Sequence, residues 1–401
     1  MHNAESRPGI ITRKDRVSQQ SMTAVNCWDA GVESRPPTVL VVPNTVFFPP
    51  YLEELPALAA DGSTPRTWIC DLTSKVTVLD QRLLTLPSRA RRSVYSRLPM
   101  WVVQVLEVFR VGRRYDVIFC WGVANVALVL AVMLRLTGRR ITVVALLTRV
   151  SESKKARLLR VAHPGLAKIV LPPVVQREYA VAHLGVPAEK LVGLPWTLDL
   201  DFWRSTPDTE RVTICAAGGE MRDYRTLIRA LEGLDIPCHI AGSLDLERRD
   251  WWNDDVEDQR TSLPPNITLG PMSATDLRDL YDRSRFVVVP LRPTNSDNGI
   301  TCMNEAWAMG RAVIVSAVEG QRDAFEHGQH GEWVPVGDVE ALRDAIVRLW
   351  NDPERTAAMG ARGRELVDPH KSNAVFSAGM DTVLSAAAQA SLGTSRVYRP
   401  R

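Results

Sequence analysis

Two series of short β-branched runs, each alternating with helical segments, dominate this sequence and leave little choice of fold. The first series opens with Val39-Leu-Val-Val-Pro43, directly after Pro36-Pro37, and continues at Asp116–Trp121, Ile141–Leu146, Lys168–Leu171 and Lys190–Leu194. Short apolar runs closed by breakers read as buried strands. Residues 123–136 and most other gaps carry helical patterns. Parallel strands need a crossover helix between them, and those helices bury both faces of the sheet. After the polar, proline-containing stretch Arg204–Glu210 the alternation restarts at Val212–Ala216, then recurs at Cys238–Ala241, Arg285–Val289, Ala312–Val315 and Glu332–Val334. A helix is expected from Asp223, with Tyr224, Leu227, Ile228, Leu231 and Leu234 on one face. Ser273-Ala-Thr-Asp276 has the form of a capping box, and Asp338 can cap the helix of 339–350. The fold class is therefore α/β, with two Rossmann-like, doubly wound domains in series. The expected organisation is a disordered leader (1–36), a first domain (37–203), a linker (204–210) and a second domain (211–368). A C-terminal helix (369–390) packing back on the first domain and a disordered tail (391–401) complete it.

The 401 residues are 45% hydrophobic and 24% charged, which suits ordinary globular cores. The cysteines Cys27, Cys70, Cys120, Cys215, Cys238 and Cys302 stand singly, mostly in apolar runs, as reduced core residues of a cytoplasmic protein do. The first 36 residues lack the apolar core of a signal peptide. The longest apolar run, Val123–Leu134, falls short of the roughly 20 residues that span a bilayer and reads as a buried helix. Charge is uneven: residues 1–205 hold 27 Lys and Arg against 16 Asp and Glu, and residues 206–401 hold 22 against 30. Nucleic acid is not the expected partner, because no basic patch is interleaved with aromatics. Residues 89–114 hold seven arginines and a single acid, Glu107, around Met100–Phe109, which reads as apolar on most faces. Such a segment suits either a buried helix or a peripheral contact with an anionic membrane at the cytoplasmic face.

Neither half carries the G-x-G-x-x-G turn of dinucleotide binders, nor a P-loop. After the restart the chain reads Gly218-Gly219-Glu-Met-Arg222-Asp-Tyr224 between a strand and a helix. Glycines there let backbone approach a ligand, the helix N-terminus offers N–H groups to an anion, and Arg222 adds a fork for phosphate. A second constellation, Ser296-Asp297-Asn298-Gly299-Ile300-Thr301-Cys302-Met303-Asn304-Glu305, follows the strand ending at Pro290-Leu291, at the carboxyl edge where open α/β sheets bind ligands. Its carboxylates, Asp297 and Glu305, are separated along the helix and suit sugar hydroxyls in two distinct places. The alternative reading makes Asp297 a helix cap and Glu305 a surface charge.

The segment Asp297, seven residues, Glu305, then Ala306-Trp-Ala-Met-Gly310-Arg-Ala-Val-Ile314 resembles the signature of glycosyltransferase family four. The resemblance extends through Val318–Gly328 and Gly331–Leu342, through Asn266-Ile-Thr-Leu-Gly270, and to the interdomain stretch Leu194–Trp203. It covers residues 190–370 most specifically. It implies the GT-B fold, with an N-terminal acceptor domain and a C-terminal donor domain facing each other across a cleft. It implies retention at the anomeric carbon without a metal, and as co-substrate a nucleotide diphosphate sugar (a UDP or GDP sugar) in place of any cofactor. Arg222, with amides at Gly218, Gly219, Gly299, Ile300 and Thr301, would meet the diphosphate. Asp297 and Asn298 would meet the donor sugar, Glu305 the ribose, and Pro271-Met272 the base. Arg222 and Asp297 are the catalytic candidates.

Three departures stand out: Asp297 replaces a commoner Glu, Ala216-Ala217 replaces the Gly-Arg before the phosphate-binding cation, and residues 44–60 lack the glycine-rich loop of many relatives. Asp199-Leu-Asp201 looks like a metal motif but sits in the interdomain segment. The expected activity is a hexosyltransferase-like step in polysaccharide or glycoconjugate synthesis, with a lipid-linked or anionic acceptor. The rivals are a nucleotide-sugar epimerase, a silent nucleotide-sugar-binding or scaffold protein and a phosphorylase-like enzyme.

Overall fold

A computed structural model of the chain describes residues 35–44, 54–79, 88–242 and 263–396. The expected leader, Cys27, most of the loop at 44–60 and residues 397–401 lie outside them. Pro36–Arg401 is one compact unit. Its elements begin with β1 (Thr38–Pro43), α1 (Leu55–Ala60), β2 (Lys75–Val78), α2 (Arg89–Tyr95), α3 (Met100–Val111), β3 (Val117–Trp121) and α4 (Ala124–Thr137). They continue with β4 (Val143–Leu146), α5 (Ser153–Ala162), β5 (Lys168–Val170), α6 (Val174–Leu184), β6 (Leu191–Val192), β7 (Thr213–Ala217), α7 (Tyr224–Leu231), β8 (Cys238–Ala241) and β9 (Ile267–Leu269). The last are α8 (Ala274–Arg283), β10 (Ser284–Val289), α9 (Ile300–Ala308), β11 (Ala312–Ser316), β12 (Gly331–Val334), α10 (Val339–Asn351), α11 (Pro353–Val367) and α12 (Asn373–Arg396).

These strands make two six-stranded parallel sheets, ordered β2-β1-β3-β4-β5-β6 and β12-β11-β10-β7-β8-β9. The expected α/β class with two Rossmann-like sheets is the observed one. Central strands such as VIFCW of β3 and AVIVS of β11 are buried at every position, as sheets covered on both sides require. One face of the first sheet (Leu40, Ile118, Cys120) packs on α3, α4 and α5, and the other (Val39, Val41, Phe119) packs on α12 through Phe376, Met380 and Leu384. Trp68 wedges there between Phe376 and Trp121, with ring centroids 4.8 and 5.1 Å away. The second sheet lies between α7 and α10 on one face and α8 and α9 on the other.

The caps follow the local chemistry. Ser273 accepts the Asp276 N–H, Asp338 that of Ala341, and Asp223 that of Thr226. One expectation changes: α12 continues to Arg396, past residue 390. In α3, Val103, Val105, Val108 and Val111 are buried together with Gln104 and Glu107, while Trp101 and Leu106 are exposed. Among the described residues no helix is long and apolar enough to cross a membrane.

Candidate functional site

Each sheet changes winding direction once, and the crevice opens where it does. In the second sheet the chain leaves β7 for β8 and β9 on one side and returns to β10 on the other. The carboxyl ends of β7 and β10 therefore diverge, and they carry the two constellations expected from sequence: the Gly218 turn after β7 and the 294–299 loop after β10.

Arg222 lies between them. Its guanidinium donates to the carbonyls of Ala217 (2.8 Å) and Glu220 (2.9 Å) and to Cys302 Sγ (3.2 Å). The glycines make room for it. Gly218 and Gly299 have φ of +88° and +89°, a region that disfavours side chains, and a Cβ on Gly218 would stand 2.6 Å from the guanidinium. Arg222 is 5% exposed, and among the described residues it has no ion pair with a carboxylate. A buried cation without a counter-charge is costly unless an anion completes it. Two of its five N–H groups remain for such a partner.

Gly299 is also the N-cap of α9, and no side chain caps that helix. The Ile300 N–H is already taken by a backbone carbonyl, so the first-turn amides left near Arg222 begin at Thr301. Asp297 is not the cap; only its backbone carbonyl serves the turn, accepting the Ile300 N–H. The Asp297 carboxylate instead accepts from the Trp196 indole N–H and from Ser296 Oγ, and burial raises its pKa. Asn298 Oδ1 accepts from Thr294 Oγ1.

Glu305 is no surface charge either. It is half-buried, enclosed by α8 and α9, and it accepts a hydrogen bond from the Tyr281 hydroxyl at 3.1 Å. Desolvation pushes its carboxyl up to about 7, against the pull of that hydroxyl and of Arg222. Pro271 and Met272 follow β9 at the same carboxyl edge, exposed and half-buried respectively. The Asp199 carboxylate accepts the N–H groups of Arg66, Asp201 and Phe202, so it closes a turn. No group of three or more metal-ligating side chains occurs among the described residues.

The structure thus gathers Gly218, Gly219, Arg222, Asp297, Asn298, Gly299, Ile300, Thr301 and Glu305 around one edge, with Pro271 and Met272 two strands away. Sequence reasoning missed the residues that hold them: Tyr281 on Glu305, Trp196 on Asp297, Cys302 beneath Arg222, and Gln321, whose Nε2 donates to the Asn298 carbonyl. A crevice of about 570 Å³ beside this edge is lined by Met221, Thr294, Asn295, Val318 and Glu319 and by Arg149 of the first half, and not by Arg222, Asp297 or Glu305 themselves.

Comparison with known proteins agrees with this geometry. Residues 219–352 match the family model of group 1 glycosyl transferases. An uncharacterized glycosyltransferase of Methanocaldococcus jannaschii is 28% identical over 173 residues, 41% of this chain and 43% of that one. The chain spans less than half the length of the curated relatives it matches. Sucrose-phosphate synthase of Thermosynechococcus elongatus superposes with a TM-score of 0.67 at 16% identity, covering 87% of this chain and 98% of that one. Anabaena HepE, solved in complex with UDP-glucose, gives 0.63 at 15% identity over 87% and 100%. The chain therefore shares the two-sheet fold of these solved structures, and its segment 219–352 is similar to the group 1 glycosyl transferases.

Proposed function

We propose that the protein is a retaining, metal-independent glycosyltransferase of family four, moving a hexose from a nucleotide diphosphate sugar to an acceptor hydroxyl. The carrying observation is Arg222: a buried guanidinium with no carboxylate partner among the described residues, held between two glycine turns at the second sheet's carboxyl edge. In this reading residues 37–203 form the acceptor half and 211–368 the donor half. As the bond from the anomeric carbon to the diphosphate breaks, charge grows on the leaving oxygen. Arg222 and the α9 amides are already oriented toward that charge, so they stabilise the transition state without reorganising. Glu305 takes the ribose hydroxyls, Asp297 and Asn298 the sugar, and the backbone at Pro271-Met272 the base. The UDP-glucose bound to HepE supports a uridine diphosphate sugar as donor, with a guanosine diphosphate sugar as the alternative. The carboxylate of Asp199 accepts backbone N–H groups, so it closes a turn rather than standing as half of a metal-binding pair with Asp201.

The acceptor is lipid-linked or anionic, and the protein works in the cytoplasm at the membrane's inner face. From Ser88 to Val150 the chain has eleven arginines and two acids, Glu107 and Asp116, both hydrogen-bonded inward. Val94, Trp101, Leu106 and Leu136 are exposed on the same stretch.

A thermal-shift screen of nucleoside diphosphates and their sugars tests the donor site. At 100 times its dissociation constant a ligand adds about 2.7 kcal/mol. Stabilisation by UDP or GDP sugars, with transfer or slow hydrolysis that survives EDTA, is the expected result. Activity lost to EDTA and restored by manganese removes metal independence. Binding without any turnover identifies a silent binding protein, and no binding at all rejects the donor site.

A further inference from the structure

The crevice is bounded by side chains that reach over from the first sheet's half, and one of them joins two loops. Gln176, in the first turn of α6, is fully buried. Its Oε1 accepts the N–H groups of Val150 (2.8 Å) and Ser151 (3.0 Å). Its Nε2 donates to Ser151 Oγ (3.1 Å) and, across the crevice, to the carbonyl of Asn295 (2.8 Å). Both lone pairs and both N–H groups of the amide are thereby used.

Each loop carries residues that face the crevice. The first begins with Arg149, which stands 3.6 Å from Glu220 of the Gly218 turn. The second, Thr294–Asn298, lines it with Thr294 and Asn295 and leads directly into Asp297 and Asn298. It has a second strut from the first half, the Trp196 indole on Asp297, and supports from its own half in Gly320 and Gln321. An amide buried only to fill space gains nothing over an apolar side chain of the same size. All four bonds of this one go to two loops distant in sequence, 149–151 and 294–298.

We infer that Gln176 is a positioning residue that couples these loops, so that the sugar-facing loop of the donor half takes its geometry from the acceptor half. The inference rests on the proposed donor site. Asp297 adopts its place when the Arg149 loop adopts its own, and the donor is readied for cleavage only with the acceptor side assembled. Nucleotide contacts at Arg222 and Glu305 do not pass through this link. Breaking it lowers kcat and raises the share of donor lost to water, with little change in donor KM.

Amide hydrogen exchange on the full chain tests the coupling without knowledge of the acceptor. Gln176→Met keeps the volume and removes all four bonds, and Ser151→Ala removes one, on the near side only. In Gln176→Met, exchange is expected to rise about fivefold, the effect of one lost hydrogen bond, both at 148–152 and at 294–300. Ser151→Ala is expected to affect 148–152 alone, and unchanged exchange in β7 and β10 shows that the fold is intact. Faster exchange at 148–152 with 294–300 unaltered in Gln176→Met overturns the coupling. Added UDP or GDP then separates the two ideas. In wild type the nucleotide is expected to protect both segments, and in Gln176→Met only 294–300. Protection of neither segment in wild type rejects the donor site and leaves the coupling to the ligand-free measurement.

Discussion

Glu107 in the first half and Glu305 in the second are both enclosed helical carboxylates, and they are treated in opposite ways. Burial alone would raise the pKa of Glu107, but hydrogen bonds from Arg110 and Tyr95 and the charge of Arg91 outweigh it, and its carboxyl titrates below the usual range. Glu305 has one hydroxyl and no ion pair, so desolvation wins. The cations show the same contrast. Arg91 and Arg110 of the first half close on Glu107, whereas Arg222 of the second is buried with only neutral partners. A paired buried charge fastens the structure; an enclosed charge left with neutral partners marks where a ligand completes it. The second half also has the first kind. Asp282 holds Arg311 at 2.8 Å and accepts from Ser205, Thr206 and Thr209, pinning the stretch between the two sheets to α8.

That distinction is most exposed at Asp282. Asp282→Ala leaves Arg311, whose side chain is 1% exposed, without its counter-charge, and is expected to cost about 3–5 kcal/mol. A chemical denaturation midpoint reads this directly. A loss under about 1 kcal/mol, the range of a surface pair, would place Asp282 outside the fastening class. Arg222→Ala should do the reverse: little harm to stability, and a kcat lower by on the order of 10²–10³, as when one preorganised donor is removed from a developing anion. Arg222→Lys keeps the charge, loses the fork and falls between. Wild-type turnover in Arg222→Ala sinks its catalytic role.

Glu305 gives the comparison a pH axis. Its folded pKa lies above the ordinary value of 4.5, at about 7, so the fold favours the protonated form. The associated stability is full below pH 4.5 and is lost as pH rises through about 7. Ribose hydroxyls donate to the ionised form, so nucleotide affinity should move the other way. UDP is expected to bind about tenfold more tightly at pH 8 than at pH 6, a difference of about 1.4 kcal/mol. Glu305→Gln should bind weakly and without that slope. Calorimetry at the two pH values decides it, and an unchanged slope in the variant assigns the titration elsewhere.

The central strands of both sheets were legible in the sequence because a parallel, doubly covered strand must be largely apolar, as β3 and β11 are; the short edge strand β2, half exposed and polar at alternate positions, was not read. The proposed donor-side residues stood out because they crowd into two short stretches at strand ends. What holds those residues was not. Trp196 and Asp297 are 101 positions apart, Gln176 and Asn295 119, and a glutamine in an apolar helix carries no signal of which carbonyl it will meet. The environment of Glu305 was half legible: its apolar neighbours predicted the cost of burial, but Tyr281 comes from another helix. In α3 the apolar residues were legible, but not that Gln104 and Glu107 find partners inside.

The smallest effect is expected where charge is most abundant. Arg92, Arg97, Arg113 and Arg114 are exposed in and beside α2 and α3, as are Trp101 and Leu106 of α3 and Leu136 of the neighbouring α4. Each basic residue near an anionic bilayer contributes about 1 kcal/mol, and salt screens it. Arg97→Ala and Arg113→Ala should therefore each weaken binding to phosphatidylserine-rich vesicles about fivefold, additively, without a change in thermal stability. Trp101→Ala should weaken it at every salt concentration, because an interfacial ring is not screened. Arg110→Ala is the contrasting case: Arg110 is committed to Glu107, so its loss should lower stability more than vesicle binding. Vesicle sedimentation across a salt series, alongside melting curves, separates the outcomes. If the protein stays in the supernatant at low salt with strongly anionic vesicles, the arginines of the first half serve a soluble anionic acceptor, and membrane docking is wrong.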